Sequence, residues 1–414
     1  MMHQPEACRK KIRDEVFHVL DPGRDTSDEE MYALIDRSMA QNTYVRQMSV
    51  AQRRMIRRDV FASIRELDVL QPLLDDPEVT EIMVNGPEHI FVEREGRLMK
   101  HEAAFSSAQK LEDVIQQIVA GCNRVVNESS PIVDARLADG SRVNIVLRTI
   151  ALNGPVITIR RFPKERITME HLIRFGSVTK ELCAYLRILV RAGYNIFIAG
   201  GTGSGKTTFL NALSDHIPED ARVITVEDNA ELQITHIPNL VRMEARNANV
   251  EGCREITIRD LIKSSLRMRP DRIVVGEVRG DEAIDMVQAM NTGHDGSMST
   301  GHANSTVDML ARLETMILMG MDLPLSAVRR QLAAGIDIIV HLGRLRDRTR
   351  KLLEISEVTG YVDAASGEIE TKPLFRFRET GTGSDHRITG RWEKVHALQN
   401  TQKLEAAGLV LPDL

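Results

Sequence analysis

The residues with the clearest chemical meaning are a glycine-rich run that ends in a lysine and a threonine. Gly200 to Thr207 spell G-x-x-x-x-G-K-T, the pattern of a phosphate-binding loop. The apolar run 196–199 precedes the loop, and Phe209 and Leu210 follow it on an amphipathic segment. The glycines allow several backbone N–H groups to point at one phosphate, and the positive end of the helix dipole adds to them. The pattern predicts a nucleotide site rather than a glycine-rich turn that binds nothing.

The polar residues of this loop have predicted roles in binding ATP and Mg²⁺. Lys206 is expected to lie against the β- and γ-phosphates as a point charge, and the Thr207 hydroxyl is expected to ligate Mg²⁺. The residues predicted to contact the nucleotide are Gly201, Thr202, Gly203, Ser204, Gly205, Lys206, Thr207 and Thr208.

Hydrolysis also requires a group that orients the attacking water, and the run Arg272 to Glu277 supplies a candidate. Its apolar residues indicate a buried strand that delivers a carboxylate at its carboxyl end, where α/β proteins form their sites. Gly276 stands where aspartate is common in such Walker-B-like strands. Glu277 is therefore the candidate that positions or deprotonates the water. The alternative is a solvated glutamate at a strand end.

A second acidic cluster follows the apolar run 223–226. Glu227, Asp228 and Glu231 are candidates for the Mg²⁺ shell that Gly276 cannot supply, either directly or through water. Glu231 is also counted among the candidate catalytic carboxylates. A surface turn is the alternative interpretation of a cluster of this kind.

Two histidines, His294 and His302, lie in the run 292–304. They are eight residues apart and no thiolate accompanies them, so they do not make a convincing metal site. Both are candidate catalytic residues, placed either near the γ-phosphate or at a subunit contact.

The periodicity of apolar residues divides the chain into five segments. Ser27 to Glu30 makes a capping box before a helical pattern near the start. Short alternating runs around one helix predict an α+β domain, and apolar runs between amphipathic helices predict a parallel sheet covered on both faces. The predicted boundaries are 1–68 for a helical segment, 69–163 for the α+β domain, 164–178 for a linker, 179–374 for the α/β domain and 375–414 for a polar tail.

Bulk composition limits the partners of the chain. A net charge of -5 and a pI near 6.2 argue against nucleic acid as a direct partner. No apolar stretch approaches the roughly 18 residues that span a bilayer, and the start lacks a signal-peptide pattern. We therefore expect no transmembrane segment and a cytoplasmic location. The scattered cysteines exclude a zinc knuckle built from thiolates; they are Cys8, Cys122, Cys183 and Cys253.

Four segments of the chain resemble the type II/type IV secretion ATPase superfamily, in the order that this superfamily has them. They correspond to its Walker A, Asp box, Walker B and His box, and they are most similar to those of the CpaF-type ATPases of the tight-adherence (Flp) pilus. The segments are 200–208, 224–232, 266–279 and 292–304.

This resemblance implies a RecA-like ATPase domain behind a smaller α+β domain, working as a homohexameric ring that powers pilus assembly or secretion. It also implies an inner-membrane platform protein as partner, at the inner face of the cytoplasmic membrane. The family places arginines from outside the ATPase domain at the nucleotide, and the matching positions are Arg142, Arg160 and Arg161. The alternative for these arginines is pairing with local carboxylates. Within the superfamily, the alternative is a type IV secretion ATPase that moves protein or DNA.

The chain departs from the family pattern at Gly301, where relatives usually carry a bulky apolar residue. A glycine there is expected to weaken the strand and loosen His302, so His294 is the stronger candidate of the two histidines. The tetra-cysteine insert of several type II secretion ATPases is absent. A GTPase-like switch would need an N/T-K-x-D segment at a strand end, and none is found. A scaffold that binds ATP without hydrolysing it is opposed by Glu277.

Overall fold

The computed structural model describes residues 4–20, 26–94, 96–122, 124–161, 166–246, 254–383 and 386–412. The chain divides into two compact units, residues 1–165 and 166–414. Residues 164 and 165 of the predicted linker and Cys253 lie outside the described residues. In the described ranges, no helix is long and apolar enough to cross a membrane.

Helices with one apolar face each open the first unit. The predicted capping box is confirmed: the Glu30 N–H donates to the Ser27 hydroxyl and the Ser27 N–H donates to the Glu30 carboxylate, each at 3.2 Å. The apolar faces meet in a buried cluster that includes Ile12, Ile35 and Phe61. The helices are α1 (Gln4–Val19), α2 (Asp28–Gln41), α3 (Thr43–Arg46) and α4 (Val50–Arg65).

An antiparallel sheet with one covering helix forms the rest of the first unit. The described strands are in the order β3-β2-β1-β6-β5-β4. The covering helix buries Leu111, Val114 and Ile118 against the sheet, as its spacing predicts. After a 3-10 turn at Asp68–Leu70, the elements are α5 (Gln71–Asp75), β1 (Val79–Asn85), β2 (Ile90–Arg94), β3 (Arg97–His101), α6 (Ala108–Gly121), β4 (Ile132–Arg136), β5 (Arg142–Val146) and β6 (Val156–Arg160).

A larger sheet organises the second unit. Its described strands follow the order β15-β14-β13-β12-β7-β11-β10-β8-β9, in which neighbours from β12 to β9 are parallel and the others are antiparallel. The elements are α7 (Met169–Arg174), α8 (Lys180–Arg191), β7 (Ile196–Gly200), α9 (Lys206–Ser214), β8 (Val223–Glu227), β9 (Leu240–Glu244), α10 (Ile258–Ser265), β10 (Arg272–Val275), α11 (Ala283–Asn291), β11 (Met298–Gly301), α12 (Thr306–Gly320), α13 (Leu325–Gly335), β12 (Ile338–Arg344), β13 (Arg350–Val362), β14 (Ile369–Thr382), β15 (Ile388–Lys394) and α14 (Gln402–Ala407).

Both faces of the parallel strands are covered, as the sequence predicts. Helices α7, α8 and α9 pack on one face, and α10, α11, α12 and α13 pack on the other. Strands β7, β8, β10 and β11 are buried along their whole length. Because parallel strands end at the same edge, the segments that follow these four strands lie side by side there.

Gly301 is a regular, buried residue of β11, paired with Ala199 of β7. A Cβ on Gly301 would lie 2.6 Å from Cε and 2.9 Å from Sδ of Met309. The Met309 side chain from α12 thus fills the space that a larger residue would occupy. The volume that the glycine lacks is supplied from the helix, and its expected weakening of the strand stays a prediction.

Residues beyond 374 form strands of the same sheet, where the sequence predicts a polar tail. Strand β14 pairs with β13, and β15 pairs with β14. After β15, the backbone N–H groups of Gln399 and Asn400 donate to the buried Glu357 carboxylate. The Lys403 ammonium lies 2.7 Å from the Asp337 carboxylate. These strands are largely exposed, so no clear apolar alternation marks them in the sequence.

We predict that Gly301→Val lowers the free energy of unfolding by about 1–3 kcal/mol, because its side chain would enter space filled by Met309. Met309→Ala alone should cost about 2–5 kcal/mol by leaving a cavity. In the double variant each change relieves the other, so the loss should be smaller than the sum of the two. Urea unfolding of the three variants beside wild type measures this coupling, and strictly additive losses would contradict the packing.

Candidate functional site

The phosphate loop, residues 201–205, connects β7 to α9 and is open on one side. Gly203 and Gly205 have φ angles of +71° and +93°, which side chains other than glycine rarely adopt. A Cβ on Gly201 or on Gly203 would meet no described atom within 4 Å. The space beside these two glycines is therefore open, which leaves room for a phosphate.

The other side of the loop is packed tightly against the sheet. A Cβ on Gly200 would lie 2.6 Å from the carbonyl oxygen of Leu342, and closer still to the Ser204 hydroxyl. Helix α9 begins at the end of the loop, so the N–H groups of its first turn, those of Thr207 and Thr208 among them, have no acceptor inside the helix. These donors and the helix dipole make the loop an anion site.

Lys206 is the buried cation of the site, with 7% of its surface exposed. Its Nζ donates to the Gly201 carbonyl oxygen at 3.2 Å and lies 3.3 Å from Nδ1 of His302. Burial lowers the pKa of Lys206, and the charge of Glu277 opposes this effect. An ammonium group only donates, so Nδ1 of His302 is the acceptor and the ring proton is assigned to Nε2.

The chain of contacts continues from His302 to Glu277. Nε2 of His302 lies 2.9 Å from Oε1 of Glu277, although this buried oxygen is not aligned for a hydrogen bond. Burial, followed by the charge of Lys206, lowers the pKa of His302, which favours a neutral imidazole at neutral pH. The segments after β7, β11 and β10 therefore place a lysine, a histidine and a carboxylate in one continuous row.

Arg279 is a site residue that sequence reasoning does not identify. Its Nη2 donates to Oε2 of Glu277 at 2.8 Å, and its Nη1 donates to Oδ2 of Asp228 at 3.2 Å. The hydrogen bond to Glu277 is the main cause that raises the pKa of Arg279. Arg279 follows Glu277 closely in the sequence. Its pairing with Asp228, which follows a different strand, cannot be read from the sequence.

Glu227 is engaged with the backbone of its own turn. Its Oε1 accepts from the N–H groups of Glu231 at 2.7 Å and Leu232 at 2.8 Å. Its Oε2 is buried and has no hydrogen-bond partner among the described residues. Burial raises the pKa of Glu227 to about 7. A Cβ on Gly276 would lie 3.1 Å from Cγ of Glu227, so Glu227 occupies the space that an aspartate at position 276 would need.

The donor set fits Mg²⁺ held chiefly by phosphate oxygens and the Thr207 hydroxyl. In the described part of the chain, no group of three His, Cys, Asp or Glu side chains is placed to hold a metal ion. Asp228 pairs with Arg279, and Glu227 pairs with backbone amides. Mg²⁺ usually keeps several waters and takes one or two protein ligands, which this arrangement allows. Direct ligation by Glu227 or Asp228 stays a prediction.

The two histidines lie at opposite edges of the sheet. His302 follows β11 and contacts Lys206, whereas His294 precedes β11, at the edge where β7 begins. Nδ1 of His294 lies 3.2 Å from the Ala289 carbonyl oxygen. Of the two histidines, the structure therefore brings His302 to the phosphate loop, and the catalytic or subunit-contact role of either stays a prediction.

The three predicted arginines belong to the first unit. Arg142 and Arg160 are direct neighbours on the paired strands β5 and β6, and Nε of Arg160 lies 3.6 Å from Glu81. Arg161 donates to the Val79 carbonyl oxygen at 2.9 Å and also to the Asp76 carbonyl. Arg161 thus has a structural role within its own unit, and the catalytic role of all three stays a prediction.

The comparison with protein families decides the assignment. The family model described as type II/IV secretion system protein matches residues 64–407. The chain belongs to this family. A putative conjugal transfer protein of Mycobacterium tuberculosis is 35% identical over 311 residues, which cover 72% of this chain and 88% of that protein. The type IV secretion system protein VirB11 of Brucella suis is 34% identical over 303 residues, which cover 67% of this chain and 84% of that protein.

Solved structures of ATPases share the fold. The Yersinia pseudotuberculosis ATPase DotB aligns with a TM-score of 0.52 and 18% identity, over 72% of this chain and 79% of that one. The predicted fold class, a RecA-like P-loop domain behind a smaller α+β domain and an N-terminal helical segment, is confirmed. The predicted secretion ATPase superfamily is confirmed as well. Membership implies nucleotide binding and ATPase activity.

The buried Glu227 carboxyl makes the stability of the protein depend on pH. Its pKa in the folded protein, about 7, lies above its ordinary value of 4.5. Its favourable contribution is therefore full below pH 4.5 and is lost as the pH rises through 7. Glu227→Gln mimics the protonated carboxyl. We predict that the free energy of unfolding of wild type falls relative to this variant by about 3 kcal/mol as the pH rises from below 4.5 to above 7. Urea unfolding of both proteins at pH 5 and pH 8 measures the change, and a difference that does not vary with pH would contradict it.

Proposed function

We propose that this chain is a Mg²⁺-dependent ATP hydrolase that acts as the motor of a pilus or secretion machine. The observation that carries the proposal is the row from Lys206 through His302 to Glu277 beside an open phosphate loop. A cation for phosphates and a carboxylate for water are two of the groups that phosphoryl transfer uses in proteins. Parallel strands bring both to one edge.

Each polar residue of the site has a separate role in the proposed hydrolysis of ATP. Lys206 and the N–H groups of the loop and of the first turn of α9 bind phosphate oxygens, and the Thr207 hydroxyl holds Mg²⁺. When bound, ATP would supply the phosphoryl group, and Mg²⁺ would neutralise the negative charge on the phosphates. Glu277 holds the attacking water and accepts its proton. Arg279 donates to one oxygen of this carboxylate, and Nε2 of His302 lies 2.9 Å from the other.

Two machines are candidates for what the motor powers. The resemblance of the four motifs to CpaF-type ATPases supports assembly of a tight-adherence (Flp) pilus. The relatives named for conjugal transfer and type IV secretion support the second candidate, transport of protein or DNA. Both candidates place the chain at the inner face of the cytoplasmic membrane, where ATP and an inner-membrane platform protein are available.

A homohexamer is the assembly that we propose for this motor. In such a ring, arginines from the first unit complete the nucleotide site and make hydrolysis depend on domain closure. Arg142 and Arg160 suit this role because they lie side by side on β5 and β6, with Arg136 of β4 opposite Arg142. Side chains of directly paired residues share one face of a sheet, so the three arginines lie in one row, which Glu81 continues opposite Arg160.

We predict that Glu277→Gln lowers the rate of ATP hydrolysis by about 100- to 10,000-fold, because an amide cannot accept the proton of water. Binding of ATP should change little, since Lys206 and the loop are retained. A steady-state phosphate-release assay and a binding titration, both on the full chain, measure the two quantities.

The matched control for Glu277→Gln is Asp281→Asn, in the same segment after β10. The Asp281 carboxylate pairs with Arg259 at 2.6 Å rather than with a residue of the site. This variant should hydrolyse ATP at close to the wild-type rate. If Glu277→Gln hydrolyses ATP at the wild-type rate, the water-activating role of Glu277 is wrong. A nucleotide-binding scaffold is the better description only if wild type binds ATP without hydrolysing it.

The hexamer is tested by multi-angle light scattering with Mg²⁺ and a non-hydrolysable ATP analogue. We expect a species of six times the 46.5 kDa chain mass, because nucleotide bound between neighbouring chains stabilises their contact by mass action. A strictly monomeric species at high protein concentration would count against the ring.

A further inference from the structure

The hairpin formed by β12 and β13 stands beside the phosphate loop. Strand β12 pairs with β7 so that Leu342 lies opposite Gly200, where the loop begins. Beyond this point the hairpin continues to Arg344 and Arg350, the last paired residues before its connecting turn. A segment far along the chain from the four motifs thus brings cationic side chains next to the loop.

Arg350 contacts the loop in two ways. Its Nε donates to the carbonyl oxygen of Gly203 at 2.8 Å. A Cβ on Gly205 would lie 3.4 Å from Cδ of Arg350, so the side chain packs across the glycine that precedes α9. Arg350 therefore covers the loop from outside, whereas Lys206 reaches it from inside.

The hydrogen bond from Arg350 determines the orientation of one peptide unit. The peptide between Gly203 and Ser204 is planar and trans, so its carbonyl oxygen and its N–H point to opposite sides. Arg350 holds the oxygen from outside, and the Ser204 N–H donates to the Gly201 carbonyl oxygen at 3.3 Å, the same oxygen to which Lys206 donates. Glycine at position 203 tolerates more than one peptide orientation, and two hydrogen bonds hold this one: Arg350 donates to its oxygen, and its N–H donates to Gly201.

We propose that Arg350 is a positioning residue that keeps the carbonyl oxygen of Gly203 turned away from the bound phosphate. The inference rests on the proposed ATP site and adds to it a residue outside the four motifs. Arg350 acts on nucleotide affinity through the loop, so the ground state and the transition state lose similar binding when it is removed. Its loss should therefore raise KM with little effect on kcat.

The test compares Arg350→Met with wild type in binding of ATP and Mg²⁺ to the full chain by calorimetry, together with kcat and KM. Methionine keeps an apolar stem over Gly205 but cannot donate to Gly203. We expect affinity to fall by about three- to tenfold, the usual effect of one net hydrogen bond. Arg350→Lys, which restores a cationic donor, should recover part of the loss.

The matched control is Arg344→Met, at the paired position of the hairpin. It removes the same charge from the same hairpin, and among the described residues Arg344 has no hydrogen bond to the loop. Its ATP affinity should stay within about twofold of wild type. Equal losses in both variants would overturn the proposal, because they would indicate a general effect of charge.

The outcomes separate this inference from the proposed function. Wild type that binds no ATP would overturn both. Wild type that binds ATP while Arg350→Met binds it equally well would overturn the positioning role alone. If circular dichroism shows that Arg350→Met is unfolded, Arg350→Lys and Arg350→Gln replace it. Tighter ATP binding by Arg350→Lys than by Arg350→Gln supports the proposal. Wild-type ATP affinity in both variants overturns it.

Discussion

The site depends on the burial of one ammonium group at the end of a parallel sheet. Moving a charge out of water is costly unless other groups replace its hydration. The Lys206 ammonium donates to the carbonyl oxygen of Gly201 and to Nδ1 of His302. The other ring nitrogen of His302 lies beside the Glu277 carboxylate. These groups follow β7, β11 and β10, so only the parallel register of three strands brings them together. The residues that balance the lysine charge are also those that the proposed chemistry uses.

The sequence predicts well what depends on neighbours along the chain. The G-x-x-x-x-G-K-T run fixes a loop, its lysine and the following helix, because the glycines and the helix start are local features. The alternation of apolar runs and helices predicts the covered parallel sheet, and Glu277 follows because parallel strands share their carboxyl edge. The structure places Lys206 and Glu277 at that edge, joined through His302.

The sequence predicts poorly what depends on volume and contact between distant segments. Gly301 suggests a weakened strand, but Met309 from α12 fills its space, and no local pattern reports the shape of a residue on another element. A Cβ on Gly276 would lie only 3.1 Å from Cγ of Glu227 on the neighbouring strand, a contact that the sequence does not reveal. Arg350 reaches Gly203 across 147 residues of chain. The exposed strands β14 and β15 carry too few buried residues to show the alternation of a strand.

The most direct test of the account is the rate of ATP hydrolysis by the purified chain beside Lys206→Ala, with Mg²⁺ and with a chelator. Because Lys206 is the buried cation of the phosphate loop, the account predicts hydrolysis by wild type that requires Mg²⁺ and is lost in Lys206→Ala. Equal rates in the two proteins, or a wild-type rate that the chelator leaves unchanged, would contradict the assignment of this edge of the sheet as the hydrolytic site.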